Sequence, residues 1–236
     1  MSNSAASLDI KKALAAYLSG FMTDDRNRLF DRIIKHRTRY ITVVLEDIYQ
    51  PHNASAVLRT CDCFGIQDVH IIENRYEYNL NPDVALGSSN WLSIKRYNTG
   101  SDNTTGCLEM LKQEGYRIVA TTPYANDTLL TDFDIEAGKF ALVFGTEKEG
   151  LSTVAKNLAD EFVKIPMYGF TESFNISVSA ALSLFHLSEK MRHSSIGWHL
   201  TEEERVDVQL DWMRYSIRDS SLIEKKFFEL IEKNAK

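Results

Sequence analysis

The sequence predicts an α/β protein with a mostly parallel sheet that is covered by helices on both faces. Short apolar, strand-like runs alternate along the chain with segments whose apolar residues recur at helical spacing. This alternation is typical of parallel strands, which need crossover connections between them. The length of 236 residues and the 44% of hydrophobic residues are enough for a self-sufficient core, which excludes disordered and disulfide-scaffold classes.

Six strands and three helices are predicted in the middle of the chain. The strands are assigned to residues 41–45, 69–72, 92–96, 117–121, 140–144 and 162–165. Apolar stripes predict helices around residues 54–61, ending near Gly65, around 108–111, ending near Gly115, and around 154–158. Strands and helices in this order place the carboxyl ends of the strands at one edge of the sheet, where open α/β folds bind ligands.

Both ends of the chain are predicted to be helical. Thr201 followed by Glu204 has the spacing of a capping box, and Ser221 followed by Glu224 repeats it. We therefore expect three parts. They are a basic helical N-terminal arm of residues 1–40, an α/β domain of residues 41–195 and a C-terminal helical extension of residues 196–236.

The charge is unevenly distributed between the arm and the rest of the chain. The net charge is −6, yet residues 1–40 contain eight Lys and Arg against four acids, so this segment carries +4. A basic arm on an acidic body suits contact with a polyanion at one place, whereas solvated helix faces give similar counts. The residues that we expect to contact such a polyanion are Arg26, Arg28 and Arg32 of the arm, with Lys190 and Arg192.

Membrane insertion and disulfide bonding are both disfavoured by the sequence. No apolar run approaches the roughly 18 to 20 residues needed to cross a bilayer, and the apolar N-terminal stretch predicts a helix rather than a signal peptide. The three cysteines, Cys61, Cys63 and Cys107, have no metal-site spacing beyond one C-x-C and are interpreted as packing residues. We expect no metal, a reducing compartment and a cytoplasmic location.

The first candidate site follows the first strand, in the run Pro51-His52-Asn53-Ala54-Ser55 that leads to Arg59. Asn53 is predicted as a helix N-cap. A guanidinium at the carboxyl edge of the sheet could meet an anion or a polarised hydroxyl. Arg59 could equally be an exposed residue paired with Asp62, three positions later on the helix.

The second candidate site is the run Phe144-Gly145-Thr146-Glu147-Lys148-Glu149-Gly150-Leu151-Ser152. It has a Gly-x4-Gly frame, but Leu151 stands where a Walker loop requires Lys, so binding of a nucleoside triphosphate is disfavoured. The absence of G-x-G-x-x-G also disfavours a Rossmann dinucleotide site. What remains is a tight turn at Gly145 that can bring backbone groups close to a flat ligand, or an ordinary charged loop.

The third candidate site runs from Ile165 through Met167 and Gly169 to a helix that begins near Ser173 or Asn175. This helix carries many small residues, which would allow close packing against a second helix or a second subunit. The small residues are Ser177, Ser179, Ala180, Ala181 and Ser183.

In this order and spacing, the three motifs resemble the SpoU/TrmH branch of the SPOUT RNA 2′-O-methyltransferases. The resemblance rests on N-x5-R after the first strand, F-G-x-E-x-x-G-L-S after a later strand, and I-P-M-x-G with S-F-N-I-S-V-S-A-A at the last helix. It covers roughly residues 40–193. The terminal helices are similar, more loosely, to the enzymes that modify guanosine 18 of tRNA.

The resemblance implies a trefoil knot at the C-terminal end of the sheet, a homodimer and S-adenosylmethionine as the methyl donor. It also implies a pocket completed across the dimer interface and tRNA as the partner, with methylation of ribosomal RNA or of another tRNA position as the alternative. The catalytic residues that it implies are Arg59, Asn53, Glu147, Ser173 and Asn175. The cofactor residues that it implies are Thr121, Phe144, Gly145, Ile165, Met167 and Phe174.

Two other classes of function remain open at this point. A non-catalytic RNA-binding module could keep the basic arm without the chemistry, although it would not need the five catalytic-type residues together. An α/β enzyme for a small anionic metabolite would fit the pI of about 5.6. That second interpretation leaves the basic arm and the three motifs unexplained.

Overall fold

The computed structural model describes residues 2–123, 127–146 and 149–234. The chain divides into two compact units. One is the continuous segment Thr38–Trp198, and the other combines Met1–Arg37 with His199–Lys236. The first unit contains the sheet and the second is helical among its described residues.

The unit Thr38–Trp198 contains a seven-stranded sheet in the order β3-β2-β1-β6-β4-β7-β5. Every pairing between neighbouring strands is parallel. The strands are β1 Ile41–Glu46, β2 Asp68–Ile72, β3 Ser93–Tyr97, β4 Arg117–Thr121, β5 Thr128–Leu129, β6 Phe140–Phe144 and β7 Glu161–Lys164. The prediction of a mostly parallel α/β sheet is therefore confirmed.

Helices lie between these strands and after the last of them. They are α3 Pro51–Phe64, α4 Pro82–Ala85, α5 Asn103–Gln113, α6 Thr153–Leu158 and α7 Ile176–Arg192. Short 3-10 helices cover Ser88–Trp91 and Leu130–Asp132. The left-handed Gly65, with φ of 75°, ends α3 because its N–H bonds back to carbonyls of the last turn.

The central strands are buried on both faces. All residues of β1, β2 and β6 are buried. On one face, Val43 and Leu45 pack with residues of α3 and α7, and on the other, Val44 packs with residues of α5 and α6. Because both faces are covered, these strands form continuous apolar runs in the sequence rather than alternating ones.

All six predicted strands are present, each with boundaries within one residue of the prediction. β5 was not predicted; it has only two residues and pairs at the sheet edge with β7. The predicted N-cap at Asn53 is wrong. Pro51, at the first helical position, starts α3 earlier, with Gln50 as the N-cap.

The cysteines of the α/β unit are free thiols. Cys61 and Cys107 are buried, which agrees with their interpretation as packing residues. That interpretation is wrong for Cys63, which is exposed. Cys63 follows Cys61 by two positions on α3, and residues two apart on a helix face different directions.

The second unit contains α1 Ser2–Ser19, α2 Asp24–Ile33, α8 Glu202–Ser216 and α9 Ser220–Asn234, with a 3-10 helix at Ile34–His36. The predicted capping box is confirmed, since Thr201 and Glu204 exchange both hydrogen bonds at the start of α8. The second predicted cap is wrong. Ser221 lies inside the first turn of α9, and the carbonyl of Asp219 accepts the N–H groups of Leu222 and Ile223.

Aromatic packing and ion pairs hold the helical unit together. The ring centroids of Phe30 and Trp212 lie 5.3 Å apart, as do those of Tyr17 and Phe227. Lys11 of α1 lies 2.8 Å from Asp207 of α8, and Lys12 pairs with Glu202 in the same way. Among the described residues, none of the helices has the length and apolar character that a membrane span requires.

His70 makes the stability of the fold depend on pH. Its ring is buried in β2, its Nδ1 lies 3.0 Å from the Tyr97 hydroxyl oxygen, and burial, with the charge of Lys95, lowers its pKa to about 3. Below pH 6.5 the unfolded chain takes up a proton that the folded chain excludes. His70 should therefore reduce the free energy of unfolding by up to about 1.4 kcal/mol per pH unit as the pH falls towards 3.

The measurement is urea unfolding of the protein and of His70→Asn across this pH range. The variant should show a shallower loss of stability on acidification, whatever its stability at neutral pH. Parallel curves for the two proteins would contradict the assignment.

Candidate functional site

A cavity of about 400 Å³ opens at the carboxyl ends of β4, β6 and β7. Thr121, Phe144 and Lys164 are the last residues of these strands, and all three line it. The segment between β7 and α7 forms another wall, through Met167, Ser173 and Phe174 among others. The volume falls in the range of about 300–1,000 Å³ that is usual for small-molecule sites.

The turn after β6 closes by an unusually tight backbone approach. Thr146 and Gly150 exchange two backbone hydrogen bonds of 3.1 and 3.0 Å across it. A Cβ atom added to Gly145 would lie 2.4 Å from the carbonyl carbon and oxygen of Gly150. A close approach was predicted here from the sequence, but to a ligand, whereas the nearest neighbour of Gly145 is the returning backbone of its own turn.

The structure brings all the predicted cofactor residues together. Thr121, Phe144, Gly145, Ile165, Met167 and Phe174 line this one cavity. They come from three separate segments of the sequence, which meet because β4, β6 and β7 are neighbours in the sheet. Ser173, from the predicted catalytic set, also lines the cavity.

The lining combines apolar and polar residues. Leu130, Phe144 and Ile165 provide apolar surface, while Glu149, Glu172 and Lys164 provide charges of both signs. The hydroxyl of Thr121 is already used, because it donates to the Val143 carbonyl at 2.8 Å. The neighbouring Thr122 Oγ1 is buried without a hydrogen-bond partner in the described part of the chain. Buried polar atoms are normally paired, so this hydroxyl is suited to a bound molecule.

Asn53 and Asn175 meet beside the cavity. Asn175 is the N-cap of α7, where its Oδ1 accepts the Ser177 N–H at 2.8 Å. The other end of the same amide, Nδ2, donates to Asn53 Oδ1 at 3.2 Å. This hydrogen bond joins the first turn of α3 to the start of α7. Neither asparagine lines the cavity itself.

The structure does not place Arg59 of the predicted catalytic set at the cavity. Arg59 is exposed on α3, does not line the cavity, and makes no hydrogen bond or ion pair with another described residue. The alternative that Arg59 pairs with Asp62 is therefore not found. Glu147 lies outside the described residues.

The predicted phosphate-binding residues have different surroundings. Arg26, Arg28 and Arg32 are exposed on α2, where Arg28 pairs with Asp25 at 2.6 Å. At the end of α7, Lys190 donates to the Phe133 carbonyl and Arg192 to the Phe64 carbonyl, at 2.7 and 2.9 Å. Burial lowers the pKa of Arg192.

Three of the five small residues of α7 face inward, namely Ser179, Ala180 and Ser183. Ala180 and Ser183 are buried, and Ser179 and Ser183 line the cavity. The opposite side of the helix exposes Val178, Leu182 and Phe185. Residues at these intervals lie on one helix face, so α7 separates a small-residue side from an exposed apolar side.

Several lining residues were not predicted from the sequence. Thr122 directly follows β4 and Lys164 ends β7, so the rule that ligands bind at carboxyl ends of strands could have indicated them. Leu130 follows the unpredicted β5, and Glu172 lies in an irregular loop. No periodic signal marks either of these positions.

A parallel α/β sheet with a ligand cavity at its carboxyl edge is the arrangement of enzymes that bind a nucleotide-sized ligand. The family model described as the SpoU rRNA Methylase family matches residues 40–185, and the chain belongs to this family. The match includes all three motif regions up to the middle of α7.

Curated relatives and a solved structure resemble this chain over most of its length. A tRNA (guanosine(18)-2′-O)-methyltransferase of Borreliella burgdorferi is 41% identical over 216 residues, which are 92% of this chain and 96% of the relative. The enzyme of the same name from Thermus thermophilus is 30% identical, covering 81% of this chain and 97% of the relative. The structure of the A. aeolicus TrmH/SpoU tRNA modifying enzyme superposes with a TM-score of 0.74 at 24% identity, covering 83% of this chain and 98% of that one.

The turn at Gly145 predicts a sharp difference between two glycines of the site. Gly145→Ala should destabilise the protein by roughly 1–3 kcal/mol, because its Cβ would overlap the Gly150 backbone. Gly169→Ala is the matched control, since a Cβ at that position would have no neighbour within 4 Å among the described residues. Thermal and urea unfolding of both variants measure the effect. Equal stabilities would contradict the tight approach.

Proposed function

We propose that this protein is an S-adenosylmethionine-dependent methyltransferase that modifies the ribose 2′-hydroxyl of guanosine 18 in tRNA. The observation that carries the proposal is the convergence of the six predicted cofactor residues on one cavity, in a chain that belongs to the SpoU family. The names of the 41% and 30% identical relatives support tRNA and position 18 in particular.

The cavity fits S-adenosylmethionine in character. The apolar walls around Phe144 and Ile165 suit the flat adenine ring. Glu172 offers negative charge to a cationic sulfonium and amino group, and Lys164 offers positive charge to a carboxylate. The Thr122 hydroxyl, which has no hydrogen-bond partner among the described residues, adds a polar partner. Two related methyltransferases, from Streptomyces viridochromogenes and Sinorhizobium meliloti, have been crystallised with this donor.

The reaction mainly requires positioning. When bound, S-adenosylmethionine supplies a methyl group on a sulfonium, which is already an excellent leaving group. The chain's own residues must hold the ribose hydroxyl in line with the methyl carbon and stabilise the charge that develops on its oxygen while its proton passes to solvent. We assign hydrogen bonds to the nucleotide to Asn53, Glu147, Ser173 and Asn175.

Arg59 is assigned an electrostatic role rather than that of a base. A guanidinium with a pKa above about 12 is a poor proton acceptor. Its planar fork can instead orient the hydroxyl or a neighbouring phosphate and stabilise the developing alkoxide. Because Arg59 is exposed and lies outside the cavity of its own chain, we propose that it serves a site completed by a second copy of the chain.

The proposed homodimer uses the exposed apolar side of α7. Val178, Leu182 and Phe185 are 42%, 40% and 57% exposed, and they follow one another along one face of the helix. A contiguous apolar face of this kind favours burial against another surface. We further propose that the chain around β7 and α7 forms the trefoil knot of the family, and that the protein acts in the cytoplasm on tRNA.

The alternative functions are less well supported. A non-catalytic RNA-binding module would not need a small-molecule cavity lined by the residues of all three motifs. Methylation of ribosomal RNA agrees with the description of the family, but the curated relatives from Borreliella, Thermus and Escherichia coli are named for tRNA. The hypothesis of an α/β enzyme for a small anionic metabolite does not explain why the chain belongs to the SpoU family.

The test is transfer of a radiolabelled methyl group from S-adenosylmethionine to tRNA transcripts, followed by mapping of the modified nucleotide. A transcript with 2′-deoxyguanosine at position 18 is the matched control and should accept no methyl group. Arg59→Lys should lower kcat roughly 10²- to 10³-fold, because it loses the planar fork. It should leave binding of S-adenosylhomocysteine unchanged, because Arg59 does not line the cavity. Near-normal turnover of this variant would refute the need for the guanidinium.

The salt dependence of tRNA binding tests the proposed phosphate contacts. Replacing Arg26, Arg28 and Arg32 with Gln should reduce the slope of log K against log salt by roughly 0.7 to 0.9 for each phosphate that is no longer neutralised. Lys11→Gln with Lys12→Gln is the control in the same helical unit, because it also removes positive charge, but from α1 rather than from α2. An unchanged slope in the triple variant would count against RNA contact by α2. The same measurement on Lys190→Gln and Arg192→Gln tests the two residues at the end of α7.

A further inference from the structure

We propose that Glu46 and Arg75 are positioning residues for the methyl-donor cavity. They hold the segment Glu149–Gly150–Leu151–Ser152 through side chains that do not line the cavity. This inference rests on the proposed function, and it assigns a role to two side chains that lie outside all three sequence motifs. Neither of them lines the cavity, whereas Glu149 and Gly150 do.

Glu46 anchors the end of this segment. It is the last residue of β1 and is only 2% exposed. Its Oε2 accepts the backbone N–H of Ser152 at 2.9 Å, and its Oε1 accepts the Ser152 hydroxyl at 2.7 Å. The Thr104 hydroxyl donates a third hydrogen bond, also of 2.7 Å, to Oε1. These contacts fix Ser152, which is also the N-cap of α6.

Accepting these three hydrogen bonds requires a glutamate at position 46. A buried carboxylate is costly unless donors surround it, and the donors to Glu46 among the described residues are the uncharged groups of Ser152 and Thr104. A carboxylate offers only acceptors, so it can receive all three donors at once. Glutamine has the same shape but would turn an NH₂ group towards one of them.

Arg75 holds the beginning of the same segment. Its Nη1 lies 2.6 Å from Glu149 Oε2. On its other side, Arg75 Nε lies 3.5 Å from Oδ2 of the buried Asp47. The guanidinium therefore bridges the turn that follows β6 and the residue that follows β1.

The backbone around Asp47 is shaped to place Arg75. Asp47 adopts a left-handed conformation with φ of 52°, which is uncommon for a residue other than glycine. In this conformation its Oδ1 accepts the N–H groups of Asn74 and Arg75, at 2.7 and 2.8 Å. Asp47 thus fixes the backbone of Arg75 as well as its side chain.

The two anchors act on a segment that has little freedom on its cavity side. Gly150 is bridged to Thr146, and its carbonyl group lies where a Cβ of Gly145 would be. A shift of Glu149 or Ser152 would therefore move Gly145 and Gly150, which form part of the cavity wall. We expect the loss of either anchor to result in weaker binding of the donor.

The experiment is calorimetric titration of S-adenosylmethionine and S-adenosylhomocysteine into the full-length protein and its variants. Arg75→Gln and Glu46→Gln should each raise the Kd of both ligands by roughly tenfold, because a displacement of about 1 Å in a binding site has large effects. Arg75→Lys should recover part of the affinity, since an ammonium can reach one of the two carboxylates. In turnover assays, KM for the donor should rise more than kcat falls, and KM for tRNA should stay unchanged.

Arg96→Gln is the matched control. Arg96 pairs with the buried Glu73 at 2.6 Å, in a similar ion pair near the same sheet edge, but it does not touch the segment 149–152. It should lower the unfolding temperature and leave the Kd of the donor unchanged. The proposal is overturned if Arg75→Gln and Glu46→Gln bind the donor as the unmodified protein does, or if Arg96→Gln weakens binding equally.

The outcome separates this inference from the proposed function. If the unmodified protein shows no binding of either ligand, the proposed function fails first and the positioning role falls with it. If the unmodified protein binds and only the anchors prove neutral, the proposed function stands and the positioning role is rejected. Because Arg75 is half exposed, we expect the fold to tolerate its replacement, so the test does not depend on the stability of Glu46→Gln.

Discussion

The backbone contact between Gly145 and Gly150 is the constraint on which the cavity depends. Two hydrogen bonds close the turn, and the space beside Gly145 is too small for any side chain. The turn begins at the carboxyl end of β6, which lies between β1 and β4 in the sheet. The position of this turn therefore determines how the ends of β4 and β7 can line the same cavity. Gly145 and Gly150 are required by the backbone conformation of the turn itself. The turn then forms part of the cavity wall that a ligand would contact.

The strands could be predicted because a strand that is buried on both faces consists mostly of apolar residues. β1, β2 and β6 are buried on both faces, so each is a continuous apolar run. β5 has only two residues and is held by its pairing with β7. A strand this short has no recognisable pattern in the sequence. The misplaced caps at Asn53 and Ser221 have another cause. Both residues favour N-caps, but Pro51 and the left-handed Asp219 start their helices earlier.

The residues of the candidate site could be predicted to different extents. Thr121, Phe144 and Met167 lie in motifs or at strand ends, so their meeting at one sheet edge follows from the parallel topology. The link from the helix cap Asn175 to Asn53 could not be predicted from the sequence, because this hydrogen bond joins residues 122 positions apart. Glu46 was hidden for a different reason. In the sequence, a single acid at the end of an apolar strand indicates only where the strand ends. The hydrogen bonds that Ser152 and Thr104 donate to Glu46 in the structure show that it also holds another segment.

The chemistry explains why so much of this site consists of anchored backbone. A sulfonium needs no acid to leave, so alignment of the acceptor oxygen dominates the barrier to methyl transfer. Alignment is improved by rigid supports, and the supports here are buried hydrogen bonds such as those of Glu46 and Asn53. Each support leaves a polar group in an apolar interior, at a cost in stability that full pairing offsets. A protein that only bound RNA through surface charge would gain nothing from this buried framework. The framework is thus the feature that most clearly sets a positioning enzyme apart from an RNA-binding module.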